Sequence, residues 1–176
     1  MIMFETERMI VRHFEADDLD AIDAITGDAE VSRYVGDGKP LPRSEAARWI
    51  DVSLNNYATK GYGASAIIDT ASGAFIGICG LVRSSRDVGD AEIIYFFAKP
   101  YWGQGLAKEV VRALLDDGFK THKLGSVIAT IDTEHRRSVR VAEACGLRYL
   151  RTDPPEDEND TPSFVYIIDN PYIETE

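Results

Sequence analysis

Trp102-Gly103-Gln104-Gly105-Leu106-Ala107 is the stretch of this chain whose residues are best spaced for chemistry. Gly103 and Gly105 lack a Cβ, so a ligand can lie close against the backbone. Leu106, Val110, Ala113 and Leu114 follow at helical spacing, with Val111 and Leu115 widening the apolar stripe. The first N–H groups of that helix have no intrahelical partner and its dipole is positive there, so both favour an anion. The chemistry implied is a phosphate cradle. Two common phosphate motifs fit it poorly. A Walker A loop ends in Gly-Lys-Ser/Thr, and Ala107-Lys108-Glu109 has neither the spacing nor the hydroxyl. A dinucleotide fingerprint would use Gly103, Gly105 and then Asp132 on a ribose. Its third glycine position is Lys108, however, which would crowd helix against strand.

The elements around the cradle follow from pattern and punctuation. Thr6 to Phe14 alternates as a first strand, and Ala16-Asp17-Asp18 opens a helix carried by Leu19, Ile22 and Ile25 and ended at Gly27-Asp28. Val31 to Pro42, with its glycines and prolines, reads as a loop. Ser44 is the expected cap of the next helix, with Ala47, Ile50, Leu54 and Tyr57 inward and Gly61 at its end. Tyr62 to Asp69 and Ala74 to Arg83 form a hairpin around Thr70-Ala71-Ser72-Gly73. Glu92 to Ala98, rich in β-branched and aromatic residues, is the strand before the glycine turn. After the helix, Leu124 to Ile131 is a strand reached by a crossover, hence parallel to the Glu92 strand. Arg136 to Cys145 is a short helix closed by Gly146, Tyr149 to Arg151 starts a strand, Asp153 to Asn159 is an acidic loop, and Ser163 to Ile168 is the last strand. The result is a mixed α/β domain, α+β in character, with one parallel junction in a mostly antiparallel sheet.

The 176 residues suffice for one domain, 1–176, with a real core. No apolar run reaches membrane-spanning length and the first residues have no signal-peptide profile, so a cytoplasmic protein without membrane contact is expected. Net charge is −11, which disfavours nucleic-acid binding through a basic face and favours cationic acceptors. Cys79 and Cys145 lie far apart in apolar patterns and read as reduced core thiols. His13, His122 and His135 are scattered without ligand spacing, so no metal is expected.

These stretches resemble the GNAT superfamily of acyl-CoA-dependent N-acetyltransferases, and within it the ribosomal-protein N-terminal acetyltransferases of RimJ/RimL type. The residues that carry the resemblance are Thr6 to Arg12, Glu45 to Ile50, Glu92-Ile93 with Tyr95, Tyr101 to Ala107, and Arg136-Arg137-Ser138 through Cys145-Gly146-Leu147. The resemblance implies a sheet with helices on both faces. It also implies that the backbone amides of Gly103, Gln104, Gly105, Leu106, Ala107 and Lys108 hold the pyrophosphate of acetyl-CoA. The acetyl group would lie beside Phe96, Phe97 and Ala98, where a family bulge exposes an amide near Phe97 to the carbonyl oxygen. His135 stands at the family's usual asparagine, a coenzyme contact, while Ser138 is kept. Ile94 replaces a glycine common in the branch, and Ala142 replaces a tyrosine used elsewhere as general acid.

Acetylation by a thioester needs a neutral amine, a polarised carbonyl and a place for the leaving thiolate. No nucleophilic cysteine has a histidine base in view, so direct attack without an acyl-enzyme is expected. Glu92 is the candidate base, acting through water, or else an ordinary charged residue at a strand start. Ser138 is the candidate partner of the thiolate, or a cofactor contact only. Tyr95 and Tyr101 are candidates for the acceptor channel, and Arg33 and Tyr34 for acceptor contacts. An α-amino group titrates near ~8 and a lysine-like amine near ~10.4, so the latter asks roughly 3–4 kcal/mol more deprotonation. The acceptor expected by resemblance is a basic peptide N-terminus, with a small amine second. The alternative is a non-catalytic acyl-CoA-binding module, and either would be a monomer or homodimer.

Overall fold

The computed structural model describes residues 1–35, 37–158 and 160–173; Gly36 of the predicted loop and Asn159 of the acidic loop lie outside the described residues. Its elements are β1 (Ile2–Glu5), β2 (Met9–Arg12), α1 (Leu19–Thr26), α2 (Ala29–Ser32), α3 (Arg43–Lys60), β3 (Ala64–Asp69), β4 (Phe75–Arg83), β5 (Ala91–Phe97), α4 (Leu106–Lys120), β6 (Ser126–Asp132), α5 (Arg136–Ala144), β7 (Arg148–Asp153) and β8 (Ser163–Asp169). The strands form one eight-stranded sheet in the order β1-β2-β3-β4-β5-β6-β8-β7. Neighbours are antiparallel except β5 and β6, which run parallel with α4 as the crossover between them.

That parallel junction is short. β5 is paired with β4 along its whole length, from Ala91↔Arg83 to Phe97↔Gly77. With β6 it shares only Ala91↔Val127 and Glu92↔Ile128. Beyond Glu92 the two strands splay, and the carboxyl ends of a parallel pair are where open sheets leave a crevice.

Side chains alternate across the strands, so each face takes its own helices. One face packs Met9, Ile67, Cys79, Leu81, Ile93 and Phe97 against Val110, Val111, Leu114 and Leu115 of α4 and Ala142 of α5. The other packs Phe14, Ala64, Ala66 and Ile78 against Ile22 of α1 and Ala46 and Ile50 of α3. Leu114 is 1% exposed, so Leu114→Ala would cost about 2–5 kcal/mol.

The structure corrects several local expectations. The predicted first strand, Thr6 to Phe14, narrows to β2, and an unpredicted β1 precedes it; the Thr6 hydroxyl accepts the Met9 N–H (3.1 Å) at the turn between the two. A short α2 occupies the start of the predicted loop, with the Asp28 carboxylate accepting from the Glu30 N–H (2.8 Å). Pro42, not Ser44, is the N-cap of α3, which places Ser44 inside the first turn. The inward side of α3 is Ala46, Ile50 and Ser53, and Leu54 is 45% exposed. Tyr57 stays half-buried, its hydroxyl reaching the Ala64 carbonyl and Ser65, so this turn of α3 is held to β3 by a polar contact rather than by Leu54. Gly61 and Gly73 take positive φ as their turns require.

Candidate functional site

The glycine turn folds as a series of left-handed residues leading into α4. Gly103 has φ 74° and Gly105 has φ 77°, values that favour glycine. A Cβ at Gly103 would meet nothing within 4 Å. The chain therefore needs these glycines for backbone direction, and their smallness leaves the space in front open. The flanking amides are satisfied: Trp102 N–H donates to Lys99 (3.1 Å) and Glu109 N–H to Gly105 (3.2 Å). Between them, the N–H groups of Gly103, Gln104, Gly105, Leu106, Ala107 and Lys108 have no partner among the described residues. A run of unpaired donors at a helix N-terminus is an anion site by construction.

Arg8, on the turn between β1 and β2, clasps this cradle from behind. Its Nε donates to Glu109 (2.8 Å), its backbone N–H to the other oxygen of the same carboxylate (3.0 Å), and its Nη1 to the Gln104 carbonyl (2.8 Å). In a trans peptide the C=O and the next N–H point oppositely. Drawing the Gln104 carbonyl back thus turns the Gly105 N–H outward. Burial works against the Glu109 charge, but hydrogen bonds from Thr6 and Arg8 outweigh it and hold the carboxyl below its usual range. Sequence reasoning gave Arg8 no site role, since it lies 101 positions from Glu109. Its one sequence signal is its place in Thr6-Glu7-Arg8, within the opening motif.

The splay between β5 and β6 leaves a cavity of about 660 Å³ bordered by residues from both faces of β5. Tyr95, Phe97, Leu106 and Ser138 line it from the α4–α5 side, and Glu92, Ile94 and Phe96 belong to the opposite face of β5. Glu92 is only 8% exposed; one carboxylate oxygen accepts from the Ser85 N–H (2.9 Å) and the Ser85 hydroxyl (2.5 Å). Ser85, in the β4–β5 loop, was not among the sequence candidates. Tyr95 and Ser138 join their hydroxyls at 2.8 Å.

The bulge expected near Phe97 is absent, because β4 and β5 stay in register throughout. The splay does its work instead. Ala98 N–H bonds to Ile76 of β4 (2.9 Å), so by alternation the Phe97 N–H and C=O face away from β4. The Phe97 carbonyl is taken by Trp102 Nε1 (2.7 Å), and the Phe97 N–H faces the gap.

Of the other sequence candidates, Gly103, Gln104, Ala107, Tyr34, Tyr101 and His135 also line the cavity, whereas Ala98, Gly105, Lys108 and Arg33 lie outside its wall. Arg33 places its guanidinium over the Tyr34 ring, 5.2 Å from the centroid. His135 stacks flat on Tyr34 with centroids 4.3 Å apart, bridging the α2 side to the start of α5. Burial, and then the charge of Arg137, lower the His135 pKa, so its ring is neutral at pH 7. Cys79 is buried, Cys145 half-buried, and neither is in a disulfide. Among the described residues no His, Cys, Asp or Glu group could hold a metal, and no helix is long and apolar enough to cross a membrane.

The chain is similar to known proteins in sequence and in fold. The YkkB protein of Bacillus subtilis (strain 168) is 34% identical over 151 residues, covering 84% of this chain and 86% of its own. The crystal structure of an acetyltransferase (GNAT family) from Bacillus anthracis superposes with a TM-score of 0.79 at 25% identity, covering 97% of this chain and 99% of that one. The same fold occurs in spermidine N-acetyltransferase from Vibrio cholerae, solved in complex with CoA and spermine (TM-score 0.77, 17% identity, 92% and 95% covered). The sequence model of the acetyltransferase (GNAT) domain matches residues 8–148, from the arginine behind the cradle to the strand beyond the cavity, and by that match the chain belongs to the GNAT family of acetyltransferases.

Proposed function

We propose that the chain, as a single domain, transfers an acetyl group from acetyl-CoA to a primary amine by direct attack, with no acyl-enzyme. The observation that carries this is the run of unpaired amides from Gly103 to Lys108, of which Gly103, Gln104, Leu106 and Ala107 line the same cavity as Glu92 and Ser138. Those donors fit a pyrophosphate in number and direction, and they need no side-chain clamp. Acetyl-CoA supplies the activated acyl carbon as a thioester.

The chain's own residues do the rest. The Phe97 N–H, freed by the splay, donates to the carbonyl oxygen as negative charge builds there. Glu92 takes the amine proton through water from the α1–α3 side, with Ser85 holding one carboxylate oxygen so that the other faces the task. Ser138 faces the departing sulfur from the α5 side. The two carboxylate oxygens and the two faces of the sheet thus separate proton removal from leaving-group stabilisation.

The cavity wall carries Glu30, Glu92, Asp132, Glu156 and Asp160 against Arg86, Arg137 and Arg140, and this excess of acid favours a positively charged acceptor. A basic peptide N-terminus is the first reading, following the resemblance to the RimJ/RimL branch. A small amine is the second, and the Vibrio cholerae relative in fold is named for spermidine. Calorimetry with CoA, followed by thiol release from acetyl-CoA with a panel of peptides and amines, tests the proposal. Heat with CoA and amine-dependent thiol release support it. No heat would end it, and heat without thiol release for any acceptor would leave the non-catalytic acyl-CoA-binding module.

A further inference from the structure

Ser138 sits in the first turn of α5, where a serine hydroxyl commonly bonds back to a nearby backbone group. Here it does not. Its one hydrogen-bond partner among the described residues is the Tyr95 hydroxyl, 2.8 Å away. Tyr95 Oη likewise has no other partner among them. Both side chains line the large cavity. One turn along the same face of α5 is Ala142, which has only a methyl. Ala142, Tyr95 and Ser138 also border a common void of about 10 Å³. The phenol therefore reaches, from the strand, the region where the helix offers no hydroxyl.

We infer that Tyr95 is a positioning residue for Ser138, and that the two hydroxyls form a proton-donating chain aimed at the sulfur of CoA. The inference rests on the acyl-transfer reading of the cavity. A phenol is the stronger acid of the two, so Tyr95 donates to Ser138 Oγ. That fills one lone pair of Ser138 and leaves its own proton free to point into the cavity. Burial raises the Tyr95 pKa against the opposing pull of the Ser138 bond, so the phenol stays protonated and keeps its donor. As the carbon–sulfur bond breaks, sulfur keeps the electron pair and takes the Ser138 proton. Ser138 regains one from Tyr95, and Tyr95 regains one from solvent, to which Glu92 returns the proton taken from the amine. The protein ends as it began, with amide and thiol as products.

The test uses the full chain loaded with CoA and needs no acceptor. The bound thiol is titrated by the ultraviolet absorbance of its thiolate in wild type, Tyr95→Phe, Ser138→Ala and the double variant. Phe keeps the ring and removes only the hydroxyl. A hydrogen bond to the thiolate lowers the thiol pKa, so Tyr95→Phe should raise it by about one pH unit. The double variant should titrate with Ser138→Ala, because Tyr95 acts only through Ser138. Calorimetry with CoA, run alongside, should give the same affinity within about threefold for wild type and Tyr95→Phe. A Tyr95→Phe curve that overlays wild type overturns the inference. So does a Tyr95 effect that persists without Ser138, or loss of CoA binding in Tyr95→Phe alone. Absence of CoA heat in wild type would remove the acyl-transfer reading itself, and this inference with it.

Discussion

On the α4–α5 face the groups poised for a ligand are chiefly backbone amides, fixed by two left-handed glycines and by Arg8 bonded to both Gln104 and Glu109, beside the paired hydroxyls of Tyr95 and Ser138. On the α1–α3 face they are side chains: Glu92 held by Ser85, Tyr34 stacked on His135, and the charged residues of the cavity wall. The second face is fastened by ion pairs near the surface, such as Lys99–Glu30 at 2.6 Å, with one firmer joint where Arg12 grips Asp18 through two bonds of 2.8 Å. Backbone donors move only if the fold moves, whereas side chains change one at a time. On the acyl-transfer reading proposed above, the constant reactant belongs to the first face and the variable one to the second.

Variants of single residues probe that division. Glu92→Gln should lower kcat about a hundredfold and leave CoA affinity alone, with the acid limb of the pH–rate profile flattened. An unchanged profile would remove Glu92 as base and with it the chemical role of the second face. Asp18→Asn should destabilise the chain by about 2 kcal/mol in a denaturant titration without touching CoA affinity. Burial opposes the Asp18 charge, but bonds from Arg12 and the Glu15 N–H prevail and depress its pKa. A depressed carboxyl contributes stability above its unfolded value of about 3.9 that fades as pH falls through the folded value. The wild type should therefore lose this stability in acid, and Asp18→Asn should lose less over the same range. Arg8→Ala should weaken CoA binding about tenfold while kcat at saturating acetyl-CoA holds, with Arg8→Lys between the two. A rise in acceptor KM instead would blur the boundary between the faces. Tyr34→Ala should raise acceptor KM about threefold, the scale of a lost ring stack, and leave CoA calorimetry unmoved.

The cradle was legible because it is local: two glycines, then apolar residues at helical spacing, are written within a dozen positions. The parallel junction was legible for a similar reason, since a crossover helix between strands leaves few topologies. What escaped depended on distant partners. Arg8 meets Gln104 across 96 positions, and no periodicity encodes that meeting. The inward side of α3 was misread by one residue because apolarity was weighed without the Tyr57 hydroxyl and its bond to the Ala64 carbonyl. The freed Phe97 amide was expected from a bulge, yet it arises from how few residues β5 and β6 share, a property of two strands together.

Because β5 and β6 part company after Glu92, side chains from both faces of β5 border one crevice. We propose that donor and acceptor approach it from opposite faces, so that neither must leave for the other to come in. That placement calls for a ternary encounter rather than a stepwise exchange.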